Sequence, residues 1–148
     1  MTHKIMLIKI PIRKILLDEE GYHLFIDAEL DSNPANLLID TGASKTVFDL
    51  TRIKKILKKK VSSFGAIDKL STGLGTSTME SRSVSIDEFS IASLKLTNYH
   101  AILLDMAHVN KSYRMMKLKP IDGVLGSDLL MKYKAVIDYK NLVLKLIV

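Results

Sequence analysis

Short apolar stretches broken by clusters of turn-forming residues dominate this chain, and most are the length of strands. Residues 4–17 and 22–30 form two such runs, and Asp18, Glu19, Glu20 and Gly21 between them have the composition of a hairpin turn. Asp31, Ser32, Asn33 and Pro34 make a second turn, after which Leu37, Leu38 and Ile39 run straight into Asp40, Thr41 and Gly42. Over residues 46–61 the spacing of Val47, Leu50, Ile53 and Leu57 predicts a helix. Residues 71–78 are small and hydroxyl-bearing, the composition of a mobile hairpin tip. Residues 83–91, 94–96 and 101–104 read as further short strands, and 106–120 has no clear pattern. A short helix is expected at 129–131. A terminal hairpin is expected from 135–138 and 142–146, turning about Tyr139, Lys140 and Asn141. The expected class is mostly β, with one or two short helices.

A chain of 148 residues suits a single domain with its own core. It has no cysteine, so disulfides, thiolate metal sites and thiol nucleophiles are excluded; this fits a reducing compartment, and a cytoplasmic location is expected. Charges interrupt the hydrophobic residues at 1–17, so no signal peptide is read there, and no stretch has the ~20 apolar residues of a spanning helix. No membrane association is expected. The net charge of +6 could draw acidic partners, but the densest basic run, Lys54, Lys55, Lys58, Lys59 and Lys60, is interleaved with apolar residues at helical spacing. It reads as the solvated face of a helix, and nucleic acid is not an expected partner.

The candidate chemistry is at Asp40. An apolar strand that delivers a carboxylate is unusual, because burying an unpaired charge costs several kcal/mol. Thr41 offers a hydroxyl, and Gly42 lets the backbone approach and present amides to the acid.

The run Leu38, Ile39, Asp40, Thr41, Gly42, Ala43, Ser44 resembles the active-site loop of the aspartic proteases. Val124, Leu125 and Gly126, two hydrophobic residues and a glycine before a helix, match their second hallmark, and Gly73, Leu74 and Gly75 lie between the two where the family carries its flap. One Asp-Thr-Gly in a chain this short is similar to the retropepsin-like type, in which two protomers each donate one loop. The resemblance implies a closed barrel or β-sandwich carrying half of a two-fold active site. It also implies an endopeptidase acting on peptide or protein substrates as a homodimer, without cofactor or metal. Asp40, Thr41 and Gly42 would be catalytic. Ala43, Ser44, Gly73, Leu74 and Gly75 would contact substrate, and Thr41 would bond across the two-fold axis. Retroviral enzymes tend to carry an acid at the place of Ser44 and an arginine at that of Ser127; both are absent, and Asp128 is expected to accept from Ser44 instead. The rival reading is a catalytically silent dimerisation or peptide-binding module of the same fold.

The acids Asp27, Asp31, Asp49, Asp87, Asp105, Asp122 and Asp138 are expected to be solvated or turn-forming. His3, His23, His100 and His108 lack the spacing of a metal site. Met115 and Met116 are expected to be packing residues, and residues 136–148 to supply much of the dimer interface as exposed edge strands.

Overall fold

The computed structural model describes residues 4–17, 19, 21–58, 68–71 and 78–148. Their strands are β1 (Leu7–Pro11), β2 (Arg13–Leu17), β3 (Gly21–Leu30), β4 (Asn33–Ile39), β5 (Val47–Asp49), β6 (Asp68–Ser71), β7 (Thr78–Ile91), β8 (Leu94–Leu104), β9 (Gly123–Leu125), β10 (Val136–Asp138) and β11 (Val143–Ile147). The helices are α1 (Leu50–Leu57), α2 (Ala107–Met115) and α3 (Ser127–Lys132).

Six strands close a barrel in the order β3-β4-β9-β5-β8-β7, the ring being completed by Glu29 and Leu30 of β3 pairing with Ser90 and Phe89 of β7. β2 extends the sheet from β3 and β6 extends it from β7. Closure leaves the six barrel strands without a free edge where they pair. Ile26, Leu30, Leu37, Phe48, Ile86, Phe89 and Leu103 are buried in the main core. Phe48 and Tyr99 meet Phe89 edge to face, at 5.4 and 5.1 Å between centroids. Gly123 is required by crowding: a Cβ there would lie 2.7 Å from Phe48 Cδ1 and 2.9 Å from Leu37 Cδ2.

The turn expected at residues 31–34 is confined to Asp31 and Ser32, since Asn33 and Pro34 already pair with Leu30 and Glu29 as the start of β4. Asp31 and Ser32 take left-handed φ values of 48° and 68°, the twist that a two-residue hairpin needs, and short polar side chains tolerate it. Asp31 also ties this turn to β7, donating from its N to Glu88 O at 2.9 Å and accepting from Glu88 N at 2.9 Å.

Several expected boundaries moved. Residues 4–17 make two strands rather than one. Pro11, which has no N–H to donate, ends β1, and Arg13 begins β2 in a different sheet. The predicted helix over 46–61 starts only at Leu50: Val47–Asp49 is a barrel strand, paired with β8 and β9. Asp49 then caps the helix, its Oδ2 accepting from Arg52 N at 2.9 Å. The short strands expected at 94–96 and 101–104 are one strand, because pairing continues past Asn98 in spite of its φ of 50°.

The unassigned stretch holds α2, so the described residues form three helices where one or two were expected. Of its residues Tyr113 is buried, so no apolar stripe marked it in the sequence. Tyr113 lies edge to face on Phe25 at 6.0 Å, with Ile121 and Val124 completing a second small core. Met115 and Met116 were expected to pack, yet they are exposed. Asp49 and Asp122, expected to be solvated or turn-forming, are buried. Asp122 accepts from Asn36 N at 2.7 Å and from Arg52 Nε at 2.8 Å.

The terminal hairpin forms as expected, but β11 runs between β1 and β10 in a three-stranded sheet, so the free edges belong to β1 and β10 and not to the last strand. No helix among the described residues is long and apolar enough to cross a membrane.

Burial raises the Tyr99 phenol from 10.0 to about 12, and the nearby Asp128 and Tyr133 add to the shift. A raised folded-state pKa favours the folded form while the phenol is neutral. That contribution is complete below the unfolded value and is lost as pH rises through the folded one. Denaturant titrations should therefore show stability falling between about pH 10 and 12, with Tyr99→Phe lacking this part of the fall.

Candidate active site

Two parallel strands build the site. β4 pairs with β9 so that Leu38 lies opposite Val124 and Ile39 opposite Leu125, and this brings the two sequence hallmarks side by side. Asp40 leaves the end of β4 still tethered, its N donating to Leu125 O at 3.0 Å. The loop then turns on itself. Gly42 N donates to Asp40 Oδ1 at 2.9 Å and Ala43 N to Asp40 O at 3.2 Å. A Cβ on Gly42 would stand 3.3 Å from that same carboxylate oxygen, so glycine suits the close approach.

Beneath the loop is a polar clamp. Buried Thr46 donates its hydroxyl to Asp128 Oδ1 at 2.7 Å and accepts from Gly126 N at 3.0 Å. Ser127 N donates to Ala43 O at 2.7 Å. There is no room for a side chain at residue 126, where a Cβ would lie 2.6 Å from Lys45 C and O. The acid loop and the turn that opens α3 are therefore tied directly to each other. The expected partner of Asp128 was Ser44; the structure gives that role to Thr46, and Ser44 is exposed.

Asp40, Thr41 and Gly42 are exposed and Ala43 is half-buried. The expected desolvation of Asp40 is thus not produced by this chain alone. The carboxylate opens onto a cleft of about 250 Å³ whose walls include Tyr22, His23, Ile137 and Tyr139. The His23 ring stacks on Tyr113 with 6.1 Å between centroids, and its Nδ1 is hydrogen-bonded to the Tyr113 hydroxyl. Burial raises the Tyr113 phenol above its ordinary value. Among the described residues no cluster of His, Asp or Glu is placed to hold a metal ion. Gly73, Leu74 and Gly75 lie outside the described residues; the β6–β7 pairing can be followed as far as Ser71 opposite Thr78.

The sequence model of the aspartyl protease family matches residues 26–129, which span both hallmarks and most of the barrel. The chain belongs to the aspartyl protease family. Within that family its fold is retropepsin-like. It is similar to a retropepsin-like aspartic protease from Rickettsia conorii, with a TM-score of 0.59, 17% identity and coverage of 97% of this chain and 93% of that one. It is also similar to the retroviral protease-like domain of Ddi1 from Leishmania major, with a TM-score of 0.51, 14% identity and coverage of 84% and 87%. At these identities the likeness is one of fold. No curated protein matches the chain.

For an aspartyl protease of this type, the sequence located the acid loop but missed the clamp under it and the aromatic walls beside it. Thr46 gives no signal in the sequence, since one threonine in a helical-looking stretch is unremarked. Tyr22 lines the cleft from β3 and Tyr139 from the residue after β10, which belongs to the other sheet. Thr46→Val keeps the volume but leaves Gly126 N without its acceptor and removes one of the two donors to Asp128 Oδ1, the other being Leu129 N. It should cost about 1–3 kcal/mol in denaturant titrations, while Thr46→Ser should stay near the parent.

Proposed function

We propose that this protein is an aspartic endopeptidase, with a single retropepsin-like domain over residues 1–148 that works as a homodimer. The observation that carries this reading is the half-built site: one carboxylate, aimed by its own loop, held rigidly from below and left open to solvent above. A second copy related by a two-fold axis supplies the matching Asp40. Two carboxylates about 3 Å apart cannot both ionise near neutrality, so the pair shares one proton, as aspartic protease dyads do in general. The charged member takes a proton from a water held between the two as that water attacks the scissile carbonyl. The neutral member gives its proton to the carbonyl oxygen as the water adds; when the tetrahedral adduct collapses, the first member passes the proton it took to the leaving amine nitrogen and the second recovers one from the adduct hydroxyl. Each Asp40 is both base and acid across the cycle, with no covalent intermediate.

Thr41 bonds across the axis to the facing loop, and Gly42, Ala43 and Ser44 receive the peptide backbone. Gly73, Leu74 and Gly75 close over it as a flap, pairing with an extended substrate as an added strand. Half of an enzyme with this geometry is inert. Mixing Asp40→Asn protein with wild type in equal amounts and letting subunits exchange should leave about a quarter of the dimers with two aspartates, and activity per chain should fall accordingly. Activity that follows the wild-type fraction linearly would instead assign the chemistry to a single chain. Asp40→Asn alone should cleave nothing while keeping its fold.

The interface we assign is the outer face of the β1-β11-β10 sheet with the adjoining chain ends. Ile5, Leu7, Val136, Ile147 and Val148 are exposed there, although lone apolar side chains so placed gain by burial. Leu7 and Ile147 stand opposite each other in the sheet. Replacing either with glutamate puts a charge on both sides of the axis. Sedimentation should show dimer affinity reduced by roughly tenfold or more, with specific activity falling in parallel at low concentration.

A further inference from the structure

Asp40 and Gly126 lie at the carboxyl ends of the parallel pair β4 and β9, and a different surface lies at their amino ends, beside Asn36 and Asp122. There, two adjoining hollows of about 220 and 200 Å³ share Arg52 and Pro120 as a common wall. From Asn36 to Asp40 the strand spans about 13 Å at ~3.3 Å per residue, so this surface is separate from the catalytic cleft. The two surfaces share none of their lining residues.

The chemistry of this groove is one-sided, because its acceptors are already used. Asp49 accepts from Arg52 N and from Met106 N, at 2.9 and 2.7 Å. Asp122 is held by Arg52 Nε and Asn36 N. The Asn110 amide is spent on both backbone groups of Ile121, at 3.0 and 2.7 Å. Asp27, on the outer rim, is paired with Arg13 at 2.9 Å. Besides the exposed Thr51, what remains is cationic: Lys55, Arg114 and Lys119 are exposed, line the groove, and have no carboxylate partner among the described residues. Between them the floor is apolar, formed by Ala107, Leu118 and Pro120. Neither hollow is lined by an aromatic ring, which stacking of nucleic acid bases would use.

We infer that this groove is a second substrate-docking site, which takes an acidic, apolar-bearing peptide segment of the protein substrate at a distance from the bond that is cut. Carboxylates meet Lys55, Arg114 and Lys119, and an apolar side chain settles on Leu118 and Pro120. The inference rests on the proteolytic reading for its purpose, but the binding is separable from it. Such a site lowers the KM of substrates that carry the segment and leaves the chemical step alone.

The test uses full-length Asp40→Asn protein, so that nothing is cleaved, and a fluorescein-labelled peptide of alternating Glu and Leu read by anisotropy. The peptide should bind, more weakly as salt rises. Reversing the three cations together (Lys55→Glu, Arg114→Glu, Lys119→Glu) should weaken it by at least about tenfold, whereas Lys55→Arg with Lys119→Arg should retain it. With Asp40 restored, the reversed protein should cleave a short uncharged peptide as the parent does, and show a raised KM with unchanged kcat on a peptide that also bears the acidic segment. Equal binding by the parent and the reversed protein, or tighter binding of a single-stranded oligonucleotide of the same charge, overturns the inference. If neither protein cleaves any peptide, the proteolytic reading fails, and the anisotropy result still decides whether the groove binds an acidic peptide.

Discussion

The parallel pairing of β4 with β9, locked by the Thr46 hydroxyl, is the constraint on which the rest of this structure depends. A hydroxyl can donate and accept at once, and Thr46 does both, giving to Asp128 and receiving from Gly126 N. Because the group is buried, each of these bonds would be costly to lose. The backbone bonds from Asp40 N to Leu125 O and from Ser127 N to Ala43 O close the same knot from either side. The barrel supplies the rigid support: β5 pairs with both β8 and β9, and Gly123 admits the close packing of Phe48 and Leu37 against the shared core. A carboxylate on such a base keeps its direction without being buried by its own chain.

That exposure gives the site its logic. Asp40 in one chain is exposed and held by Gly42 N, and among the described residues that line its cleft there is no second carboxylate. A second carboxylate at contact distance changes its chemistry, since like charges in a site shielded from water cannot both persist. The apolar side chains exposed on the terminal sheet provide a reason for two copies to meet. The basic groove at the far end of the same strands is where we infer that an acidic substrate segment docks. The cleft and the groove share no lining residues, and the terminal sheet, which stands outside the six barrel strands, contributes Ile137 to the cleft.

Much of this was legible in the sequence because it is local. The Asp-Thr-Gly loop follows an apolar strand, the turn at Asp31 and Ser32 carries its own backbone preference, and the closing hairpin is marked by its polar tip. What could not be read is set by tertiary pairing. Val47 looks helical by spacing, yet with Phe48 it forms a strand because it pairs with both β8 and β9. α2 carries Tyr113 as its buried residue, so its helical period is silent. The burial of Asp49 and Asp122 follows from long-range bonds to Met106, Asn36 and Arg52, which no window of sequence contains. Met115 and Met116, apolar by composition, remain exposed on the far side of that helix end.

The claim that two copies of Asp40 make one site is tested most directly by counting sites. Calorimetric titration with a peptide whose scissile bond is replaced by a hydroxyl-bearing mimic of the tetrahedral adduct should saturate at one ligand per two chains and fail with Asp40→Asn. Saturation at one ligand per chain, or unchanged binding by Asp40→Asn, would contradict the account.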